Sequence, residues 1–271
     1  MKDLFDLTGK VAVVTGGNGI LGRSMCSALA WKQAKVAIIG RNKKSGEKVA
    51  EELRNNGGDV SFFVCDVLNL DKLSEVKVEI LEKYGHIDIL VNAAGGNMPG
   101  ATIQPDKSFL DVDMNAVRTV MELNYFGTLY PIRVFAEEMI KQGHGNIINI
   151  TSATVERPMT RVLGYSSAKA AVKNLTQWLA VEFAQKYGDG FRVNALTPGF
   201  FLTDQNRFLL TNPDGSLTPR GGLIIQGTPM KRMGDPDDLQ GALLYLTSDA
   251  SRFVTGTTTI VDGGFDAFSG V

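Results

Sequence analysis

The chain has 271 residues, of which 44% are hydrophobic and 21% are charged. This composition is typical of a globular domain and excludes a disordered, collagen-like or coiled-coil protein. The formal net charge of −1, with a sequence pI near 6.2, provides no basic field to hold a nucleic-acid backbone, so nucleic acid is not an expected partner. A chain of this length can bury one large core, and we expect a single domain over residues 1–271.

The amino-terminal segment, residues 1–7, carries charges at Lys2, Asp3 and Asp6 and lacks the apolar core of a secretory signal. No later apolar run approaches the length of a membrane span. We therefore expect a cytoplasmic protein without a membrane partner.

The cysteines and histidines do not form a recognisable metal or redox pattern. Cys26 lies in a helical pattern and Cys65 in an apolar strand, where small buried thiols are common, and neither has CxxC or metal-ligand spacing. His86 and His144 lie in glycine-flanked turns between elements. The sequence therefore predicts no metal site, no disulfide and no catalytic histidine.

Short apolar, β-branched runs alternate with helix-period segments along the whole sequence. The runs are of strand length and apolar on both faces, as buried parallel strands require. They lie at 11–15, 35–40, 60–67, 87–93, 146–152, 191–196 and 257–261. The helical segments lie near 20–33, 43–56, 69–84, 114–142, 165–187 and 236–248. This alternation predicts an α/β fold: a Rossmann-like, doubly wound parallel sheet of about seven strands with helices on both faces.

Two long stretches interrupt the alternation, at 95–113 and 199–235. Each follows the carboxyl end of a predicted strand, the edge where open α/β sheets bind ligands. Loops of this length in a compact domain are usually functional or disordered. We expect them to cover a substrate, although passive insertions remain an alternative.

The first predicted strand runs directly into a glycine-rich turn, residues 15–22, Thr-Gly-Gly-Asn-Gly-Ile-Leu-Gly, and an amphipathic helix follows. Glycines allow the backbone to approach a pyrophosphate closely, and the helix N-terminus presents free N–H groups to it. The GxGxxG pattern is weak alone, but a strand-turn-helix context strengthens it. A glycine-rich turn without a ligand is the alternative.

The end of the second strand indicates which dinucleotide is bound. A dinucleotide fold places a carboxylate there for a ribose 2′-hydroxyl, or an arginine for a 2′-phosphate. This protein has no acid at that point and carries Arg41, Lys43 and Lys44. Guanidinium pairs with phosphate in bidentate fashion, which favours NADP over NAD. NAD is not excluded, since these cations can also form the solvated start of a helix.

Tyr165 and Lys169 are four residues apart and therefore share one face of a helix. A phenol has a pKa near 10, and an adjacent ammonium favours its ionised form and should lower that pKa. The pair could exchange a proton with a carbinol or carbonyl oxygen. A surface Tyr-Lys pair is the alternative when the spacing is taken alone.

Several motifs together resemble the short-chain dehydrogenase/reductase family over nearly the whole sequence. In sequence order these are the glycine turn, Asp66 after the third strand, the Asn-Ala-Ala-Gly run at 92–95, Asn124, Ser152, the Tyr165–Lys169 pair, Pro198-Gly199 and the Val-Asp-Gly-Gly run at 261–264. The resemblance implies an NAD(P)-dependent oxidoreductase that acts on CH–OH groups.

The resemblance also implies roles for individual residues. Ser152 would hydrogen-bond the substrate oxygen, Tyr165 would transfer the proton, Lys169 would bind the nicotinamide ribose, and Asn124 would hold a water on the proton path. The implied cofactor-binding residues, besides Tyr165 and Lys169, are Gly16, Gly17, Asn18, Gly19, Ile20, Gly22, Arg41, Asp66, Val67, Asn92, Ala93, Gly95, Pro198, Gly199, Phe201 and Thr203. Each polar member could instead cap a turn or a helix end.

The second long loop and the tail at 262–271 resemble, within that family, the sugar-acid reductases of the D-mannonate oxidoreductase type. This resemblance implies interconversion of a keto sugar acid and its alcohol, D-fructuronate and D-mannonate. A sugar acid needs a cation for its carboxylate and polar groups for its hydroxyls. The candidates are Arg157 first, then Arg161 and Arg207, with Asn97, Gln205 and Asn206 for hydroxyls. Any of these could instead be a solvated loop residue.

Two alternatives remain open at this point. The substrate could be gluconate or another sugar or polyol, or the protein could be a nicotinamide-binding sensor without turnover. The intact Asn124, Ser152, Tyr165 and Lys169 set argues against the sensor. The helix at 165–187 has more apolar surface than one sheet contact needs, and the family resemblance implies a homotetramer.

Overall fold

The computed structural model describes residues 3–203 and 206–270, and its centre is one parallel β-sheet. Within the described residues the sheet has seven strands in the order β3-β2-β1-β4-β5-β6-β7. The strands are β1 (Val11–Thr15), β2 (Lys35–Gly40), β3 (Val60–Val64), β4 (Ile89–Asn92), β5 (Gly145–Ile150), β6 (Phe191–Pro198) and β7 (Thr258–Val261). The predicted doubly wound parallel sheet is confirmed.

The helices connect successive strands across the two faces of the sheet. They are α1 (Ile20–Trp31), α2 (Lys43–Asn55), α3 (Leu70–Tyr84), α4 (Met114–Met121), α5 (Gly127–Gln142), α6 (Ala153–Glu156), α7 (Leu163–Tyr187), α8 (Arg207–Leu210), α9 (Pro219–Gly227) and α10 (Gln240–Thr247). Short 3₁₀ turns add Pro99–Ala101, Phe109–Asp111, Pro236–Leu239 and Asp249–Ser251. None of the helices in the described residues is long and apolar enough to span a bilayer.

The core consists of two apolar layers, one on each face of the sheet. Along β1, Val11 and Val13 belong to one layer, while Ala12 and Val14 belong to the other. This alternation follows from the two-residue period of a strand. One layer includes residues of α1, α2 and α10, and the other includes residues of α3, α5 and α7. Both faces of the strands are therefore buried, as the apolar runs predicted.

The register aligns the carboxyl ends of the central strands. Thr15, the last residue of β1, pairs with Ile39 of β2 on one side and with Asn92 of β4 on the other. Asn92 pairs in turn with Asn149 of β5. The strand order reverses between β1 and β4, and such a switch point leaves a crevice outside the strand ends.

The segment predicted as helical at 114–142 is one continuous helical run whose hydrogen-bond pattern changes in the middle. Between α4 and α5 the residues Glu122–Phe126 form a π-helical turn, which contains Asn124. A π-turn inserts one residue into the helical repeat, and such turns are frequent at functional sites. The predicted helical segment is confirmed, and the π-turn within it was not predicted.

The two long loops carry more regular structure than the sequence predicted. The first contains two 3₁₀ turns, and the second contains α8 and α9. Thr218 caps α9 by accepting a hydrogen bond from the Gly221 N–H at 3.1 Å, and Pro219 follows as its first residue. A threonine cap before a proline is a recognisable helix start. The loops nonetheless follow β4 and β6 on the predicted edge of the sheet.

Both histidines lie around one carboxylate at the amino-terminal edge of the sheet, away from the strand carboxyl ends. Asp88, just before β4, accepts a hydrogen bond from the Val11 N–H at 2.8 Å. The Nε2 atoms of His86 and His144 each lie 3.0 Å from its carboxylate oxygens. These contacts give the histidines a structural role at that edge. The two cysteines are free and buried.

Candidate functional site

A cavity of about 410 Å³ lies across the carboxyl ends of the central strands. Its wall combines the glycine turn after β1, the end of β2, the loop after β4 and the segments after β5 and β6. The lining residues predicted from the sequence are Gly16, Asn18, Gly19, Ile20, Gly22, Arg41, Asp66, Val67, Ala93, Gly95, Ser152, Tyr165, Lys169, Pro198, Gly199, Phe201, Thr203 and Asn206. One cleft therefore brings together most of the residues that the sequence identified.

The glycine turn packs so closely that side chains would not fit. Gly16 has φ +67°, and a Cβ there would lie 2.8 Å from the Ala94 Cα. A Cβ at Gly22 would lie 2.3 Å from the Gly16 carbonyl oxygen. Gly19, the N-cap of α1, has no side chain to cap the helix. The first N–H groups of α1 are thus available to an anion in the cleft, so the turn fits a pyrophosphate.

Gly17 has a different place from its neighbours in the turn. It does not line the cavity, and a Cβ there would lie 2.8 Å from the Cys26 Sγ of α1. Its small size therefore allows the turn to pack against the helix, which is one of the roles that glycines have in this motif.

Arg41 lies at one end of the cleft, next to Asp66. The Arg41 side chain is 71% exposed, and its Nη1 lies 3.8 Å from the Asp66 Oδ2. An exposed pair at this distance holds the guanidinium only weakly. Asp66 also accepts a hydrogen bond from the Leu68 N–H at 3.0 Å, so it caps a turn as well as lining the cavity. Arg41 is therefore accessible to an anionic ligand.

Asn92 lies behind the cavity wall. It is buried, and its Nδ2 donates to the Asn149 Oδ1 at 2.9 Å across β4 and β5. The following loop is held from β1, since the Thr15 hydroxyl accepts from the Ala94 N–H at 3.2 Å. Asn92 thus supports the cavity-facing turn without lining the cavity.

Asn124 also lies behind the wall and fixes the same loop from the other side. Its Nδ2 donates to the carbonyl oxygens of Gly96 at 2.6 Å and Val120 at 2.7 Å. Its Oδ1 accepts from the Gly96 N–H at 3.0 Å. A Cβ at Gly95 would lie 2.7 Å from that Oδ1 and 3.3 Å from the Lys169 Nζ. Asn124 and Lys169 therefore meet at Gly95, and the π-turn gives Asn124 its position.

Ser152, Tyr165 and Lys169 converge at the other end of the cleft. Ser152 follows β5, and its hydroxyl lies close enough to the Tyr165 hydroxyl to lower the pKa of that phenol. Lys169 is 4% exposed, donates to the Ile150 carbonyl oxygen at 2.7 Å, and lies 5.8 Å from the centre of the Tyr165 ring. The hydroxyls of Ser152 and Tyr165 can contact one substrate oxygen together.

Burial controls the proton affinities of this group. It raises the pKa of Tyr165 above 10, and the nearby Ser152 hydroxyl opposes that rise only in part. It also lowers the pKa of Lys169 to about 8. The neighbouring Lys169 was expected to lower the pKa of Tyr165, but in the structure that pKa is raised. The reason is that desolvation disfavours the charged form of both groups.

The arginine ranked first for a substrate carboxylate is occupied within the protein. Arg157 donates through Nη2 to the Asp266 carbonyl oxygen, and its Nε lies 3.6 Å from the Asp266 carboxylate. Arg161 donates to the Ile103 carbonyl oxygen at 3.0 Å and to the Gln104 Oε1 at 2.6 Å. Both therefore connect the segment after α6 to other parts of the structure.

The remaining substrate candidates differ in position. Asn97 donates to the Thr102 hydroxyl at 3.0 Å within the first loop. Asn206 accepts from the Thr203 N–H and donates to the Phe201 carbonyl oxygen, both at 2.8 Å, so it shapes the backbone beside the cleft. Arg207 is exposed on α8. Gln205 lies outside the described residues.

Sequence reasoning missed part of the wall. The missed residues immediately flank predicted ones at the strand ends or lie just inside the strands. They are Leu21, Ile39, Gly40, Asn42, Cys65, Ala94, Gly96, Leu123, Ile150 and Thr151. The rule that parallel strands place their carboxyl ends at one edge would have found most of them. In residues 3–203 and 206–270 no three His, Cys, Asp or Glu side chains group as a metal site.

Comparison with known proteins gives consistent similarities. A family model described as short chain dehydrogenase matches residues 10–213. An uncharacterized oxidoreductase, UxuB, of Bacillus subtilis (strain 168) is 45% identical over 98% of each chain. A Haemophilus influenza structure with bound NAD, provisionally named as a D-mannonate oxidoreductase, has a TM-score of 0.91 and 41% identity, and covers 98% of each chain.

A third similarity is to a sugar-acid enzyme with a bound dinucleotide. A gluconate 5-dehydrogenase from Burkholderia cenocepacia J2315, in complex with NADP and tartrate, has a TM-score of 0.86. It is 32% identical, and the match covers 98% of each chain.

The buried Lys169 should make stability depend on pH. Because its pKa falls from 10.5 to about 8 on folding, the unfolded chain binds more protons than the folded protein between these values. Stability should therefore rise with pH in that window. Relative to Lys169→Met, the free energy of unfolding should increase by about 1.4 kcal/mol per pH unit there. Urea unfolding of both proteins at several pH values measures this.

Lys169→Met also loses the hydrogen bond to Ile150, which lowers the free energy of unfolding by an amount that does not change with pH. Only the slope of the free energy of unfolding against pH therefore reports on the buried charge. The Lys107→Met variant, which removes an exposed ammonium, is the matched control. A stability difference between Lys169→Met and the unmodified protein that stays flat with pH would contradict the burial of this charge.

Proposed function

This chain belongs to the short-chain dehydrogenase/reductase family and is an NAD(P)-dependent oxidoreductase, and from that premise we propose that it interconverts D-fructuronate and D-mannonate. The observation that carries the reaction type is the Ser152, Tyr165 and Lys169 group at the end of the cleft. The substrate rests on the Haemophilus relative provisionally named as a D-mannonate oxidoreductase.

In the proposed reaction the ketone oxygen lies between the hydroxyls of Ser152 and Tyr165. Ser152 donates a hydrogen bond that polarises the carbonyl, and Tyr165 transfers its proton to the oxygen. A nicotinamide held in the cleft would supply the hydride to the carbonyl carbon. The raised pKa of Tyr165 keeps the phenol protonated and ready to donate, and Lys169 stabilises the phenolate that forms. In the oxidative direction Tyr165 must first lose its proton, and the phenolate then accepts the proton of the alcohol.

The cleft offers each part of the dinucleotide a suitable partner. The glycine turn and the α1 N-terminus would hold the pyrophosphate, and Asp66 would lie beside the adenine. Lys169 would bind the nicotinamide ribose. The backbone of Phe201 and Thr203, which Asn206 fixes, would meet the nicotinamide amide.

Asn124 has a positioning role in this proposal. Its side chain is hydrogen-bonded to Gly96 and Val120, so it fixes the loop that separates it from Lys169. A water on the proton path would therefore be held by the backbone that Asn124 orders.

A gluconate or other polyol oxidoreductase is the second candidate, because the Burkholderia gluconate 5-dehydrogenase resembles this protein over its whole length. The structure of that protein holds tartrate, a hydroxy acid. Gluconate and D-mannonate each carry a carboxylate and several hydroxyls as well. A nicotinamide sensor without turnover is disfavoured, since neighbouring Ser152 and Tyr165 hydroxyls have no use in a protein that only binds.

For the cofactor we propose a preference for NADP. Arg41 is exposed at the adenosine end of the cleft, and its only ion-pair partner among the described residues lies 3.8 Å away. A guanidinium free to move can bind a 2′-phosphate in bidentate fashion. One relative holds NAD and another holds NADP, which supports use of both dinucleotides.

We propose a homotetramer in which α7 contributes to an interface. Trp178 and Val181 on this helix are 56% and 58% exposed, and a groove between α3, α5 and α7 lies on the same face of the sheet. An exposed apolar patch of this kind marks a contact with another protein surface.

Reduction of D-fructuronate, followed as loss of NADPH or NADH absorbance, tests the proposed reaction. Tyr165→Phe should lower kcat at least about a hundredfold because it removes the proton donor, while dinucleotide binding should persist. Tyr245→Phe, on α10, is the matched control and should leave kcat unchanged. An unmodified enzyme that oxidises D-gluconate and does not reduce D-fructuronate would favour the second candidate.

Arg41→Ala tests the cofactor preference. Losing a charge-assisted contact with the 2′-phosphate should raise the KM for NADPH about tenfold or more and leave the KM for NADH nearly unchanged. Lys48→Ala, an exposed cation farther along α2, controls for net charge. Equal effects on both dinucleotides would rule out the phosphate contact.

Light scattering tests the assembly. The unmodified protein should have four times the 29.3 kDa mass of one subunit, and Trp178→Glu combined with Val181→Glu should dissociate it because charges would be buried in the interface. Trp31→Glu, which changes an exposed tryptophan on α1, should not. A stable monomer of the unmodified protein is incompatible with this assembly.

A further inference from the structure

The short segment at 157–162 links the two halves of the reaction centre. Ser152 caps α6 and Tyr165 lies in the first turn of α7, so this segment runs between them. Arg161 has φ +79° there, a left-handed conformation that residues with a side chain rarely adopt. Such a conformation persists only where surrounding contacts hold it, and it is common at functional sites.

Both substrate loops are hydrogen-bonded to this segment. In the first loop the Ile103 N–H donates to the Arg161 carbonyl oxygen at 2.9 Å, and the Arg161 Nε donates back to the Ile103 carbonyl oxygen at 3.0 Å. In the second loop Arg220, at the start of α9, donates to the Thr160 hydroxyl and carbonyl oxygens, each at 3.2 Å. Arg161 and Arg220 therefore stand where the two loops meet.

These two guanidinium groups lack an acidic partner among the described residues. Their hydrogen-bond acceptors are neutral: the carbonyl oxygens of Ile103 and Thr160, the Thr160 hydroxyl and the Gln104 amide. Burial, and then the positive charge of Arg161, lowers the pKa of Arg220. Two half-buried cations that lie close together repel each other, and this repulsion destabilises their charged forms. An anion bound between them would relieve the repulsion.

Arg157, in the same segment, provides the contrast. Its guanidinium has the carboxylate and the carbonyl oxygen of Asp266 as partners. Its charge is therefore balanced within the protein, whereas the charges of Arg161 and Arg220 are not balanced within the described residues.

We propose that Arg161 and Arg220 bind the carboxylate of the substrate, at the opposite end of its carbon skeleton from the ketone that Tyr165 protonates. This subsite rests on the proposed function, because it requires an anionic substrate. Each guanidinium has five N–H donors in a planar fork, and the contacts to the loops leave donors free. A carboxylate that bridges the pair would also join the two loops.

The test compares Arg220→Gln and Arg220→Lys with the unmodified protein on an acid and a neutral substrate. For D-fructuronate, Arg220→Gln should raise KM about tenfold or more with little change in kcat, and Arg220→Lys should recover part of the loss. For the neutral ketose L-sorbose, used at high concentration, neither variant should raise KM. Arg252→Gln, an exposed arginine near β7, controls for the loss of one charge and should have no effect.

A second readout measures binding without turnover. D-mannonate should raise the melting temperature of the unmodified protein more than the uncharged D-mannitol does, and Arg220→Gln should abolish that difference. Circular dichroism of each variant before ligand addition shows that it is folded.

The outcomes separate the subsite from the proposed function. If D-fructuronate is reduced and Arg220→Gln leaves its KM unchanged, or raises KM for acid and neutral substrates equally, the carboxylate subsite is wrong and the function stands. If D-fructuronate is not reduced but D-mannonate stabilises only proteins with a cation at position 220, the subsite stands and the function is wrong. If D-mannonate has no effect and D-fructuronate is not reduced, both are wrong.

Discussion

The hydrogen bond from the buried Lys169 ammonium to the Ile150 carbonyl oxygen fixes helix α7 against the end of strand β5. An ammonium removed from water is costly unless it is hydrogen-bonded, so α7 cannot shift along the sheet without losing that compensation. Tyr165 lies one helical turn before Lys169, and Ser152 follows directly after β5. The position of both hydroxyls therefore depends on this one contact between a helix and a strand end.

The rest of the cleft has two parts, one formed by the sheet edge and the other by the loops. One wall of the cleft is backbone, formed by the strand ends, the glycine turn and the loop held by Asn124. This wall suits a dinucleotide, and its structure depends little on which substrate is bound. The loops after β4 and β6 meet at the segment between α6 and α7, where the arginines lie. This division agrees with the general rule that a rigid scaffold positions the chemistry while loops select the ligand.

Sequence reasoning was accurate where the signal is local. The strands are apolar runs bounded by polar or glycine residues, so their positions were predicted to within a few residues, and most of the cleft wall followed from the edge they share. It was less accurate where partners lie far apart in the sequence. The pairing of Arg157 with Asp266 and of Arg220 with Thr160 could not be found from spacing. The direction of the Tyr165 pKa depended on burial, which the residue pattern alone does not measure.

The π-turn at Glu122–Phe126 also changes the phase of the helix that contains it. An extra residue rotates everything after it by about one residue's turn, roughly 100°. The apolar stripe of α4 meets α7 and the first loop, while that of α5 meets the sheet. A single uninterrupted stripe could not serve both surfaces. This rotation lets one continuous run of helix pack against two surfaces. Its first part, α4, packs against α7 and the first loop, and its second part, α5, packs in the core. The number of residues in the π-turn is therefore constrained as well as their chemical type.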